Sequence, residues 1–147
     1  MARSRRRGAV PAGLSDILIL DAEGVSKAAD NDPSVQAWLE RARELDADVV
    51  VSAVTIAEVL RGMARDATRH RVLNATDVWD ADAQVCQRAG GLLGQSGLDV
   101  TVDAVVAATA LTAHEKHRAA GCVILTSDPN DLRQLLADAP GIRVVPV

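Results

Sequence analysis

Four carboxylates in this sequence stand where acid is out of place unless it has work to do: Asp21, Glu58, Asp103 and Asp128. Asp21 ends the apolar run Ile17–Leu20 in the stretch DILILDAEGVS. Glu58 interrupts an apolar helical turn in VTIAEVLRG, where a buried, unpaired carboxylate is costly. Asp103 falls in the first turn of a helical pattern that opens at Thr101, and Asp128 follows the run CVILTS. Gathered together, four carboxylates repel, and without a counterion some take up protons. A hard divalent cation, Mg2+ or Mn2+, removes that conflict through oxygen ligands. Such an ion activates water and stabilises charge on a phosphate in flight. Each acid also has a plainer use. Asp103 is favourable at a helix N-terminus, Asp21 can open an Asx-turn, and Asp128 can serve the turn before Pro129.

The elements that must position these acids can be read from the apolar pattern. Ile17–Leu20 and Asp48–Ser52 are strands apolar on both faces, and Cys122–Ser127 is another. Arg71–Asn74 reads as a short third strand and Ile142–Val147 as a last one. Pro33 opens a helix carrying Val35, Trp38, Leu39, Ala42 and Leu45. Ser52 is placed to cap a helix with Ile56, Val59, Leu60 and Met63 on one stripe. Asp80 to Leu93 is helical and ends in Gly94. Thr101 is placed to cap a long helix with Val102, Val105, Val106, Thr109 and Ala113 on one side, and Asp131–Leu136 is a short helix. Continuously apolar strands alternating with helices imply a parallel sheet covered on both faces. In such sheets ligands bind beyond the carboxyl ends of the strands, and all four acids belong at that edge. Ala107 and Ala110 follow Asp103 on its own side of the helix, where small residues leave room for a metal and substrate, or simply favour helix.

Bulk composition narrows the classes. A chain of 147 residues suits one domain, and 48% apolar content excludes a disordered chain. Trp38 and Trp79 are its only aromatic residues, too few for base-stacking platforms. The net charge of −4 is unlike that of a protein that coats DNA non-specifically. Cys86 and Cys122 have no metal or redox spacing, which suits a reduced, cytoplasmic chain. No apolar run nears the roughly 20 residues of a membrane span, and MARSRRRG lacks the apolar continuation and cleavage site of a signal peptide. Residues 1–13 are expected to form a flexible basic arm ahead of a single domain over 14–147.

Four pieces in order carry a resemblance: LILDAE, SAVTIAEVLRG, DAVVAATAL and LTSDPNDL. They resemble a PIN domain, and in particular the VapC-like ribonuclease toxins of bacterial toxin–antitoxin pairs, over about Ile17 to Val147. The resemblance implies a three-layer α/β/α fold with a central parallel sheet of four to five strands. It implies a catalytic and metal-binding set of Asp21, Glu58, Asp103 and Asp128 with Mg2+ or Mn2+, and cleavage of RNA. It further implies a small cognate antitoxin and a homodimer. Many relatives carry a small polar residue after the first Asp, where this chain has Ala22 and Glu23. Glu23 is then open as a fifth carboxylate, Ser26 as a substitute hydroxyl, and Asp131 as a partner for Asp128. Asp128 is preferred because it directly follows the strand end at Thr126–Ser127, either of whose hydroxyls is placed to bond a ligand or phosphate.

Other features lead less far. Arg3, Arg5, Arg6 and Arg7 suit RNA phosphates or an unimportant tail, and Arg61 suits RNA or solvent. His114 and His117 begin a zinc pattern that nothing completes, Gly90–Gly91 bind no phosphate, and no P-loop is present. An apolar groove between the Val35–Leu45 and Ile56–Met63 helices is expected, by fold-level analogy, to receive an antitoxin helix. Two competing functions remain. One is a haloacid-dehalogenase-like phosphatase, which needs Asp-x-Asp where this chain has DAE, and a late lysine it lacks. The other is a degenerate PIN domain that binds RNA or a partner without cutting.

Overall fold

The computed structural model describes residues 16–117 and 121–147. The basic arm over 1–13 therefore lies outside the described residues. Five parallel strands form the sheet in the order β3-β2-β1-β4-β5. They are β1 (Ile17–Leu20), β2 (Asp48–Ser52), β3 (Asp77–Trp79), β4 (Cys122–Thr126) and β5 (Ile142–Pro146). The helices are α1 (Ala22–Ala29), α2 (Pro33–Leu45), α3 (Ala53–Val59), α4 (Ala67–Asn74), α5 (Ala83–Ser96), α6 (Thr101–Lys116) and α7 (Pro129–Leu135), with a 3₁₀ turn over Ala64–Asp66.

The expected three layers are present, and alternation along the strands explains them. Ile17 and Ile19, Val50, Ile124 and Val144 face α5, α6 and α7. Leu18 and Leu20, Val51, Val123 and Leu125 face α1 to α4. Every residue of β1 is fully buried, as a central strand covered on both faces must be. Chain order reverses at β1, since β2 lies on one side of it and β4 on the other. That switch point opens a crevice beyond the carboxyl ends of β1 and β4.

Local chemistry sets the helix boundaries. Asp32 accepts from Ser34 and Val35 N–H at 3.0 and 3.1 Å, ahead of Pro33. Asp82 accepts from Val85 N–H at 2.9 Å, so α5 begins after the expected Asp80. It passes Gly94 and stops at Gly97, whose φ of +72° is the left-handed conformation that ends helices.

Several expectations need correction. Arg71–Asn74 is the last turn of α4, held by one buried residue, Leu73, and the third strand follows it at Asp77–Trp79. Thr101 is the first residue of α6 and not its cap; Val100 holds that position. Ser52 stands at the start of α3 but makes no side-chain capping bond. The long helix has no single apolar side, because it is buried almost all round. Ala107 and Ala110 are wholly buried in the core, so they bring α6 close to its neighbours and leave no room for a substrate. Val35, Trp38 and Ala42 are likewise buried, and the cavity that Leu39 and Ala42 line is bordered by Val72 and Ala75 and not by the Ile56–Met63 segment.

His114 packs over Gly141, where a Cβ would stand 2.6 Å from its ring, and His117 faces Asp48 at 3.7 Å. Both histidines are thus used in packing and pairing. Among the described residues no single helix is long and apolar enough to cross a membrane.

Candidate active site

Asp21, Asp103 and Asp128 occupy the crevice edge because each lies at the start of a helix, whereas Glu58 lies near the end of the short helix α3 (Ala53–Val59). Asp21 is the N-cap of α1, and its Oδ1 accepts from Gly24 N–H at 2.8 Å. Its own N–H donates to Leu125 O at 3.3 Å, which ties the end of β1 to β4. Gly24 fits a tight place here. A Cβ there would stand 3.2 Å from Leu20 Cβ and 3.3 Å from Leu125 O. Asp103 is in the first turn of α6, Asp128 is the N-cap of α7, and Asp131 lies in the first turn of α7. Helix N-termini offset part of the negative charge gathered there.

The electrostatics show that these groups feel one another. Burial raises the proton affinity of Asp21, and nearby Glu23 adds to the rise. A side-chain hydrogen bond from Thr126 and the Gly24 N–H oppose it. Asp103 is pushed up by burial, then by Asp131, Asp21 and Asp128 in that order. Glu58 is pushed up by partial burial, then by Asp103 and Asp21, against the pull of Arg61. The structure thus brings all four predicted acids into one field. It also corrects the setting of Glu58, which is an exposed residue of the short helix α3 and not a buried one.

Three features are added by the structure. Asp131 acts on Asp103 more strongly than Asp128 does. The hydroxyl missing after Asp21 is supplied by Thr126, from the neighbouring strand. That same hydroxyl accepts from Asp128 N–H at 3.1 Å, so one side chain serves two of the acids. Ser52 and Thr55 are buried and their hydroxyls have no hydrogen-bond partner. Ser52 lies one step beyond the registered pair Leu20–Val51, beside Asp21.

The donor chemistry fits a hard cation: carboxylate oxygens that repel one another and two orphaned hydroxyls at the same edge. Among the described residues, no three His, Cys, Asp or Glu side chains are drawn close enough to form a metal site as they stand.

The family model of the PIN domain matches residues 18–136. Two solved structures are similar. One is VapBC2 from Rickettsia felis bound to a DNA fragment from its promoter, with 17% identity, a TM-score of 0.63, and 88% of this chain and 98% of that one covered. The other is a toxin–antitoxin complex from Klebsiella pneumoniae, with 19% identity, a TM-score of 0.60, and 85% and 94% covered. No curated protein matches the sequence.

Proposed function

Since the chain belongs to the PIN domain family, we propose that it is a VapC-like toxin: a Mg2+- or Mn2+-dependent endoribonuclease that acts in the cytoplasm and is neutralised by a cognate antitoxin. One observation carries the reading. Asp21 raises the proton affinity of both Glu58 and Asp103, and Asp103 raises that of Glu58, across three separate elements at the crevice edge. Carboxylates crowded at the switch point of a parallel sheet are poorly accounted for by fold stability alone.

Asp21, Glu58, Asp103 and Asp128 would hold the ion, with Asp131 sharing the last position. The ion would supply charge compensation at the phosphate and a water made acidic enough to attack it. The chain's own part is positional. Gly24 N–H and Thr126 fix Asp21, and Thr126 also ties down the start of α7, where Asp128 and Asp131 lie. The antitoxin partner is supported by the two similar structures, one of VapBC2 and the other a toxin–antitoxin complex. A homodimer is part of the same proposal.

The test is RNA cleavage by purified, antitoxin-free protein with Mg2+ or Mn2+, beside EDTA and the variants Asp21→Ala and Asp103→Asn. Metal-dependent cutting that both variants lose supports the reading. A protein that binds the metal and cuts no transfer, ribosomal or messenger RNA is instead a degenerate PIN domain.

A further inference from the structure

Beside the acids lies a patch of opposite sign. Arg61, Arg65 and Arg69 line a cavity of ≈ 250 Å³ whose wall also includes Ser26 and Glu58. Arg61 follows α3, Arg65 sits in the 3₁₀ turn and Arg69 in α4. Among the ion pairs of the described residues, none involves these three side chains.

The acid nearest them in sequence, Asp66, also lines the cavity but forms no side-chain ion pair with them. Asp66 is 3% exposed, and its Oδ2 accepts three backbone N–H groups, from Arg61 and Gly62 at 2.8 Å and Met63 at 3.2 Å. That carboxylate is spent on holding the loop. The guanidinium of Arg61 rests on the carbonyls of Ala57 and Leu60, both at 2.9 Å. The loop is therefore fixed, with three arginines against the two carboxylates of Glu58 and Asp66 in the cavity wall, and Arg61 attracts Glu58 at the near end of the acid cluster.

An acid cluster alone repels a polyanion, so a nuclease needs a nearby place that attracts one. Guanidinium groups match phosphate oxygens with a planar fork of donors. We propose that the Arg61–Arg65–Arg69 pocket binds a phosphate of the RNA strand flanking the one that is cut. The pocket lays the strand across Glu58. This assignment rests on the ribonuclease reading above and adds to it where the substrate runs.

For single strands, each neutralised phosphate contributes about 0.7 to the slope of log affinity against log salt. Removing that one contact lowers the slope by about 0.7, and over one decade of salt, from about 1 M to 0.1 M, this amounts to roughly 5-fold in affinity. The experiment has two arms, both on the full chain. In the first, cleavage is compared for the parent and Arg65→Gln/Arg69→Gln; KM rises and kcat is kept. In the second, a mixed-sequence single-stranded oligoribonucleotide is titrated by fluorescence anisotropy in the Asp103→Asn background. The double variant shows the reduced slope there, and Arg65→Lys/Arg69→Lys restores most of it.

A parent that cuts RNA, with KM and slope unmoved in the double variant, overturns the pocket and leaves the nuclease standing. A parent that neither cuts nor binds RNA overturns both. A double variant that keeps RNA affinity but loses binding to a Glu-rich peptide overturns the RNA assignment in favour of an acidic protein segment.

Discussion

Replacing Gly24 with Ala tests how closely the end of β1 is fitted to the helix that carries Asp21. The new Cβ would stand 3.2 Å from Leu20 Cβ and 3.3 Å from Leu125 O. Neither neighbour yields easily, since Leu20 is fully buried and Leu125 O is backbone in β4 that already accepts Asp21 N–H. Ala gains roughly 0.5–1 kcal/mol over Gly inside a helix. Forcing a methyl into a packed contact costs roughly 1–3 kcal/mol. The net is a loss of about 1 kcal/mol, or ~3 °C in melting temperature for a chain of this size. Gly90 is the control. It is exposed within α5 and nothing lies within 4 Å of its would-be Cβ. Gly90→Ala therefore raises the melting point by about 2–3 °C through propensity alone. Thermal unfolding followed by circular dichroism compares the three proteins, and the two variants move in opposite directions. If Gly24→Ala melts as high as Gly90→Ala, the helix is not wedged against β4 and the packing argument fails. RNA cleavage gives a second reading, because shifting α1 also shifts the N–H that holds Asp21.

Three further outcomes follow from the same structure. Asp103 binds its proton more tightly folded than unfolded, because burial and then Asp131, Asp21 and Asp128 raise it. The stability of the metal-free parent therefore falls as pH rises from the ordinary carboxylate range through the raised folded value. In EDTA at neutral pH Asp103→Asn melts higher than the parent while losing cleavage, and the advantage disappears in strong acid; a lower melting point at neutral pH would refute the crowding. Burial pushes the Cys122 thiol up to about 12, whereas Cys86 is exposed. Iodoacetamide should then label only Cys86 in the native protein, and peptide mapping by mass spectrometry would expose the error if Cys122 reacts before unfolding. Arg88 forks onto Glu115 at 2.8 and 2.5 Å and joins α5 to α6. The pair is solvent-exposed enough that screening leaves about 0.5 kcal/mol or less, so Glu115→Gln lowers the melting point by ~1–2 °C in dilute buffer and by nothing in concentrated salt. Glu115 is held below its usual range by Arg88, so this small term is lost as the pH falls from that range through the lowered folded value.

The central part of the fold was legible because its strands are apolar on both faces. β1, β2 and β4 announce themselves as unbroken runs, and the acids that follow them mark the carboxyl edge. The third strand was not legible for the converse reason. β3 lies at the sheet edge, has exposed Asp77 and Val78, and is three residues long, so it leaves no apolar run to read. Val72 and Leu73 beside it imitate one, although they belong to a helix. Glu58 was read as buried because α3 looks apolar in sequence, but a helix of seven residues buries only Thr55 and Val59. Asp131 and Thr126 owe their influence on Asp103 and Asp21 to three-dimensional placement that spacing cannot rank. The arginines had a signal, a repeat every four residues at 61, 65 and 69, yet it carries meaning only once Gly62, at φ +71°, turns the chain between them.

The order of strands has a consequence for how the protein is made. β1 sits at the centre of the sheet, yet one of its two partners is β4, roughly a hundred residues later in the chain. Ile17 to Leu20 thus keep one edge unpaired until Cys122 to Thr126 have left the ribosome. Asp21 waits with them, since its anchors Leu125 and Thr126 come last. A nascent chain that carries Asp21, Glu58 and Asp103 but not β4 holds the acids without the frame that gathers them. Until the fourth strand closes against the first, Asp21 lacks both the Leu125 carbonyl and the Thr126 hydroxyl that hold it in place.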